Sequence, residues 1–216
     1  MHRRRTAIAL SAALAAAPLL TACGGAAHAG TAAVVGGQRI TVTQLEGRVN
    51  EVRAAQRAAT NEAQYEQVVS QTGGLTRNTL HALVLNQVLD RAAGDAGVTV
   101  TRNEVEQLRT LREQQVGGAA ALQAAMLQQY QVAPQRLDDN LRTDVEVQKL
   151  AIVLGADMNT TEGMAVFWKA MSKASKELHV DINPRYGAWD MEKSSRVDAR
   201  TPWIKEVTAA PAQRTA

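Results

Sequence analysis

One apolar stripe between residues 75 and 104 constrains the fold of this chain more than any other sequence feature. Its members recur every four residues: Leu80, Val84, Val88 and Ala92. This spacing is typical of an amphipathic helix that buries one broad face. Thr76 is predicted to cap the start of the helix. Gly94 and Gly97 are predicted to end it, because glycine tolerates the left-handed turn that terminates a helix.

Two segments share the pattern of a short apolar strand that runs straight into a capped helix. Residues 98–100 are predicted as a strand, after which Thr101 and Glu104 form a capping box that opens the next helix. The same pattern occurs earlier in the chain, where Thr43 and Glu46 are expected to form the capping box. Each segment therefore predicts a strand followed by a helix.

The remainder of the chain adds helices and little strand. Pro134 is predicted to open a helix that runs to Gly155, and Thr160 or Thr161 to start the last one. Because only 3% of the residues are aromatic, the core must consist mostly of Ala, Leu and Val. The sequence predicts a mainly α fold, with several helices around one core and a few short strands.

The amino terminus has the pattern of a lipoprotein signal. Residues 1–22 combine three consecutive arginines with an apolar stretch too short to span a membrane comfortably. Small residues then precede Cys23, the only cysteine of the chain. In proteins with this pattern the cysteine receives a lipid and becomes the new terminus, which predicts a lipid anchor at the extracytoplasmic face of the cell membrane. Two alternatives remain open: an ordinary secretory signal with an incidental cysteine, and a free or intermolecular thiol.

Charge argues against nucleic acid as a partner. The formal net charge is +3, but the three arginines of the leader account for all of it. Without residues 1–22 the chain has 21 basic and 21 acidic residues. A formally neutral protein lacks the basic surface that binding to nucleic acid requires.

No catalytic or metal-binding pattern is present in the sequence. The four histidines are far apart: His2, His28, His81 and His179. Neither metal-ligand spacing nor a nucleophile or phosphate-binding motif occurs. We therefore expect no enzyme activity, no metal and no cofactor.

Near the carboxyl end, a stripe rich in methionine and aromatic residues is a candidate site for binding apolar partners. Its members lie at helical spacing: Met164, Phe167, Trp168 and Met171. Methionine-rich surfaces adapt to varied apolar partners. The alternative is that the stripe simply buries the last helix in the core. In that case the binding site is expected in the groove between the helices that follow Thr43 and Pro134.

Residues 33–40 (AVVGGQRI) and 80–108 (LHALVLNQVLDRAAGDAGVTVTRNEVEQL) resemble the SurA-type N-terminal chaperone domain. In that family an apolar strand, a tight turn and a second strand lead into a helix, and a long central helix is followed by a "GvtVtdaEV" segment. The resemblance covers residues 32–154. It implies a mostly helical fold that cradles unfolded or partly folded extracytoplasmic proteins.

One departure from the family concerns the prolyl isomerase domain that SurA and PrsA proteins usually carry. Only 59 residues follow Asp157, too few for such a domain. The expected organisation is a signal peptide (1–22), a flexible linker (23–31), a helical domain (32–187) whose helix and strand at 161–183 complete the core, and a poorly structured tail (188–216).

Two functions are consistent with this reading. The first is a lipid-anchored holdase without isomerase activity, which binds unfolded or partly folded exported proteins. The second is a structural or adaptor lipoprotein of the envelope that holds one specific partner.

Overall fold

The computed structural model describes residues 29–197, which form seven α-helices and two small antiparallel sheets. The predicted mainly α fold with a few short strands is confirmed. The helices are α1 Val42–Ala59, α2 Glu62–Gln71, α3 Leu75–Asp95, α4 Arg102–Val116, α5 Ala119–Tyr130, α6 Leu137–Val153 and α7 Thr161–Glu177. The strands are β1 Thr31–Val35, β2 Gln38–Thr41, β3 Asp181–Ile182, β4 Ala188–Asp190 and β5 Ser195–Val197.

The larger sheet has the order β2–β1–β3, with β1 antiparallel to both neighbours. A two-glycine turn joins β1 to β2, and both Gly36 and Gly37 have positive φ, where other residues are strained. Gly36 also donates its backbone N–H to the carbonyl of Leu178 at 2.7 Å. The turn is therefore fixed against the end of α7. Strands β4 and β5 form a separate hairpin.

Helix α3 lies at the centre of the main core. Leu80, Val84 and Val88 are fully buried and Ala92 nearly so, as the four-residue repeat predicts. Residues of β1, α1, α6 and α7 pack around this face in one continuous cluster. The carboxyl-terminal elements belong to it: Phe167 and Met171 of α7, together with Ile182 of β3, complete the same core.

The helix caps follow local sequence at some starts and not at others. Thr101 and Glu104 form the predicted capping box, and Thr160 caps α7. The prediction that Thr43 caps α1 is wrong, because Thr41 forms the capping box with Gln44. Both threonines have a suitable partner three residues on, and the end of β2 at Thr41 selects the earlier one.

Three other predictions made from local pattern are wrong. Helix α3 starts at Leu75 with Gly74 as its N-cap, so Thr76 is not the cap. Leu75 is buried in a second apolar cluster, which draws it into the helix. Residues 98–100 belong to neither sheet. Pro134 opens a short 3₁₀ turn, and α6 begins only at Leu137.

Ordered elements include residues that the sequence assigned to the linker and to the tail. Thr31 is fully buried in β1, so the linker predicted for residues 23–31 does not extend through that residue. The tail predicted for residues 188–216 does not start at 188, since residues 188–197 contain the β4–β5 hairpin. Trp189 ties this hairpin to α7, with its indole N–H 2.7 Å from the buried hydroxyl of Ser175.

The predicted signal peptide and Cys23 lie outside the described residues. Among residues 29–197, none of the helices has both the length and the apolar character needed to cross a membrane.

Candidate client-binding groove

A groove of about 360 Å³ lies between α1, α3 and the corner where α5 leads into α6. It lies where the sequence predicts the alternative client site, between the helices that follow Thr43 and Pro134. Helix α3 forms one wall, α1 the second, and the α5–α6 corner the third. The groove thus depends on three segments that are far apart in sequence.

The floor of the groove is apolar. Three residues of the second buried cluster line it, one each from α1, α3 and the segment before α6: Val52, Leu75 and Ala133. Leu127 of α5 belongs to the same cluster. Gln131 ends α5 in a left-handed conformation, with φ of 58°. This turn reverses the chain so that Ala133 packs onto the floor.

Tyr130 stands at the edge of the groove with 65% of its surface exposed. It is the last residue of α5, where the helix ends and the chain turns. An exposed aromatic side chain beside an apolar floor is a common feature of binding surfaces, because it adds contact area at little entropic cost.

Two arginines and two carboxylates bridge the groove. Arg136 donates two hydrogen bonds to Glu51, at 2.8 Å from Nε and 2.7 Å from Nη2. Its Nη1 also donates to Asp139 at 3.2 Å. Arg48 lies 3.6 Å from Glu51 and 3.9 Å from Asp139. Burial and the nearby Asp139 raise the pKa of Glu51. The two hydrogen bonds from Arg136 act in the opposite direction, because they stabilise the charged carboxylate. The four charges therefore neutralise one another.

The charged side chains that line the groove are thus engaged in ion pairs, and none of them is positioned as an isolated acid or base. In the part of the chain that the structure describes, no group of three or more His, Cys, Asp or Glu residues is arranged to hold a metal ion. The groove offers apolar contact and neutral polar groups.

The family model of the SurA-like N-terminal domain matches residues 2–151 of this sequence. The chain belongs to the SurA-like N-terminal domain family. Membership indicates an extracytoplasmic, chaperone-type role and a domain that is not itself catalytic. No curated protein and no solved structure gives a significant match to the chain.

In this SurA-like chain the four residues of the Met/aromatic stripe do not share one surface. Phe167 and Met171 are 4% and 2% exposed and lie in the main core. Met164 and Trp168 are 40% and 41% exposed. Phe167 and Trp168 touch edge to face, with ring centroids 5.7 Å apart. Half of the stripe is therefore core, and half is available to a partner without any opening of the fold.

Sequence reasoning missed the residues that shape the groove of the SurA-like domain. Tyr130 reads as one more apolar position of a short helix, and nothing local indicates that it is exposed. Glu51 and Arg136 are 85 residues apart, so their pairing has no sequence signature. Only the general position of the groove, between α1 and α6, could be predicted from the sequence.

Proposed function

We propose that this protein is a lipid-anchored chaperone of the holdase type, which binds unfolded or partly folded exported proteins at the extracytoplasmic face of the cell membrane and does not isomerise them. The anchor is Cys23. The observation that carries the proposal is the groove: an apolar floor with an exposed tyrosine at its edge, in a chain of the SurA-like family. Such a surface suits apolar side chains of many different clients.

The client-binding surface proposed first is the groove, and the second is the exposed half of the α7 stripe. Met164 and Trp168 support the second, since both are large apolar side chains exposed on the outside of α7. Phe167 and Met171 contribute to client binding only if α7 separates from the core. The alternative function, an adaptor for one fixed partner, uses the same surfaces with a narrower choice of ligand.

The experiment that tests the proposal is suppression of aggregation, measured by light scattering, for three unrelated proteins that are diluted from denaturant. We expect the mature chain to protect all three at near-stoichiometric amounts. Ala82 is exposed on the wall of the groove, so Ala82→Arg should block the groove and abolish protection without unfolding α3. Ala124→Arg, on the exposed side of α5, is the matched control and should leave protection unchanged.

Protection of a single client, or of none, would contradict a general holdase. A pull-down from membranes then separates the two functions. The holdase predicts many partners in small amounts, whereas the adaptor predicts one dominant partner.

A further inference from the structure

The polar groups of the groove that are free to bind a ligand are mostly side-chain amides. Asn78 and Asn86 extend from α3, and Asn140 faces them from α6. Within residues 29–197 none of these three side chains makes a hydrogen bond to another group of the protein. Each side-chain amide offers two N–H donors and one carbonyl acceptor, so together they can bind both the donors and the acceptors of a neutral polar ligand.

The spacing of the two α3 amides matches that of an extended polypeptide. Asn78 and Asn86 both line the groove and are eight residues apart on α3, which separates them by about 12 Å along the helix axis and about 80° around it. In an extended strand, main-chain groups that face the same side and lie four residues apart are separated by about 13 Å. Ala82 lies midway between the two asparagines and lines the groove with a small side chain, over which a main chain can pass.

Charge also favours a neutral ligand. The charged residues of the groove pair with one another: Arg136 and Arg48 with Glu51 and Asp139. No excess of either sign remains to select a phosphate, a carboxylate or an ammonium group. The uncharged amides of a polypeptide main chain are complementary to such a surface.

We propose that the groove binds the main chain of an extended client segment, with Asn78 and Asn86 hydrogen-bonding peptide groups four residues apart. The segment lies along α3, Asn140 contacts it from the opposite wall, and one apolar side chain rests on the floor. This inference rests on the proposed function and adds to it the ligand class, an extended polypeptide recognised through its backbone. It explains how one small groove serves clients of unrelated sequence.

The test uses two fluorescent, uncharged peptides of unrelated sequence, with affinity for the mature chain measured by fluorescence anisotropy. Asn78→Leu and Asn86→Leu each remove one set of amide hydrogen bonds while keeping a good helix former of similar size. Each is expected to raise Kd about fivefold, and by the same factor for both peptides. Asn50→Leu, at an exposed position of α1 outside the groove, is the matched control and should leave Kd unchanged.

A second arm replaces single peptide amides by esters, which removes one main-chain donor without changing the side chains. The ester is moved along the peptide one position at a time. At one position it should weaken binding to the wild-type chain. At that position it should cause little further loss of affinity in the Asn86→Leu variant, because the two changes remove the same hydrogen bond. Thermal midpoints of the variants show that they remain folded.

The outcomes separate this inference from the function on which it rests. If Ala82→Arg abolishes client protection but neither asparagine variant nor any ester changes Kd, recognition through the main chain is wrong and the holdase stands. The same holds if the asparagine variants weaken binding of only one peptide. If Ala82→Arg leaves protection intact, the groove is not the client site and the inference of main-chain recognition in it is wrong, whereas the holdase function then depends on the second surface, on α7.

Discussion

His81 shows how a single residue can make the stability of this fold depend on pH. Its ring packs against Trp189 of β4, with centroids 5.5 Å apart. Its Nδ1 atom is buried and has no hydrogen-bond partner among the described residues. Burial lowers the pKa of His81, and the positive charge of Arg196 on β5 lowers it further. At neutral pH the ring of His81 is therefore uncharged in the folded protein.

Stability is expected to fall as the pH is lowered from 7.5 to 5.5. Since the pKa of His81 is lower in the folded state than in the unfolded chain, the unfolded chain binds the proton more readily below about pH 6.5. The stabilisation is complete above that pH and decreases below it. Thermal unfolding at the two pH values measures the effect, and His81→Phe, which keeps a ring beside Trp189, should reduce the difference. An equal loss in both proteins would assign the effect to other groups.

Burial of individual residues was predictable where one face of a helix meets the core. The α3 repeat correctly predicts Leu80, Val84 and Val88 as core. The α7 stripe mixes two environments, because Trp168 and Met164 lie near the edge of the buried face and Phe167 and Met171 within it. Where such an edge falls depends on the neighbouring elements, and the sequence of one helix does not contain that information.

At the scale of elements, the start of α7 depends on a close approach that only glycine permits. A Cβ atom on Gly163 would lie 2.0 Å from the carbonyl oxygen of Asp157 and 2.5 Å from its nitrogen. These are backbone atoms of the loop between α6 and α7, which cannot rotate away as a side chain does. The loop and the first turn of α7 must therefore move apart if Gly163 is replaced by a larger residue.

Gly163→Ala should destabilise the protein by about 1–3 kcal/mol, in the range of other overpacking changes. Gly47→Ala in α1 is the matched control, because a Cβ there meets nothing within 4 Å. It should stabilise the fold by about 0.5–1 kcal/mol, since alanine favours helix more than glycine does. Chemical denaturation of both variants tests the pair. Equal effects of the two changes would contradict the close packing of Gly163.

Elements were predictable where the signal is local and complete. The Thr101 capping box is visible in the sequence, whereas the ion pair that adds to it is not: Lys149 of α6 lies 2.5 Å from Glu104. Hydrogen bonds from Lys149 and Thr101 lower the pKa of Glu104 to about 2. The β4–β5 hairpin escaped prediction because strands of three residues are too short to show alternation.

For the molecule as a whole, the fold class could be predicted and the groove could not. Helical periodicity and the SurA-like segments predict a mainly helical fold with a few short strands, which the structure has. The groove depends instead on how α1, α3 and the α5–α6 corner meet, and contacts such as Glu51–Arg136 join residues far apart in sequence. The sequence offered only its approximate place, between two helices.

The proposed anchor gives a prediction for the intact precursor. Cys23→Ser should prevent lipid attachment, because serine lacks the thiol that accepts the lipid. We expect the wild-type protein in the membrane fraction, and the variant released from it or retained as a larger precursor. Fractionation followed by gel electrophoresis measures both properties. Identical partition and migration of the two proteins would contradict the lipid anchor.

The most direct test of the account is site-specific photo-crosslinking to a client that is kept unfolded. A photoreactive amino acid is placed at Tyr130 at the edge of the groove, at Trp168 on α7, or at Leu111, which is exposed on α4 away from both. The account predicts strong crosslinks from position 130 to several unrelated clients, reduced by Ala82→Arg, and none from position 111. Crosslinks from position 168 alone would move the client site to α7. Equal crosslinking from all three positions, or none from any, would contradict a chaperone that binds its clients in this groove.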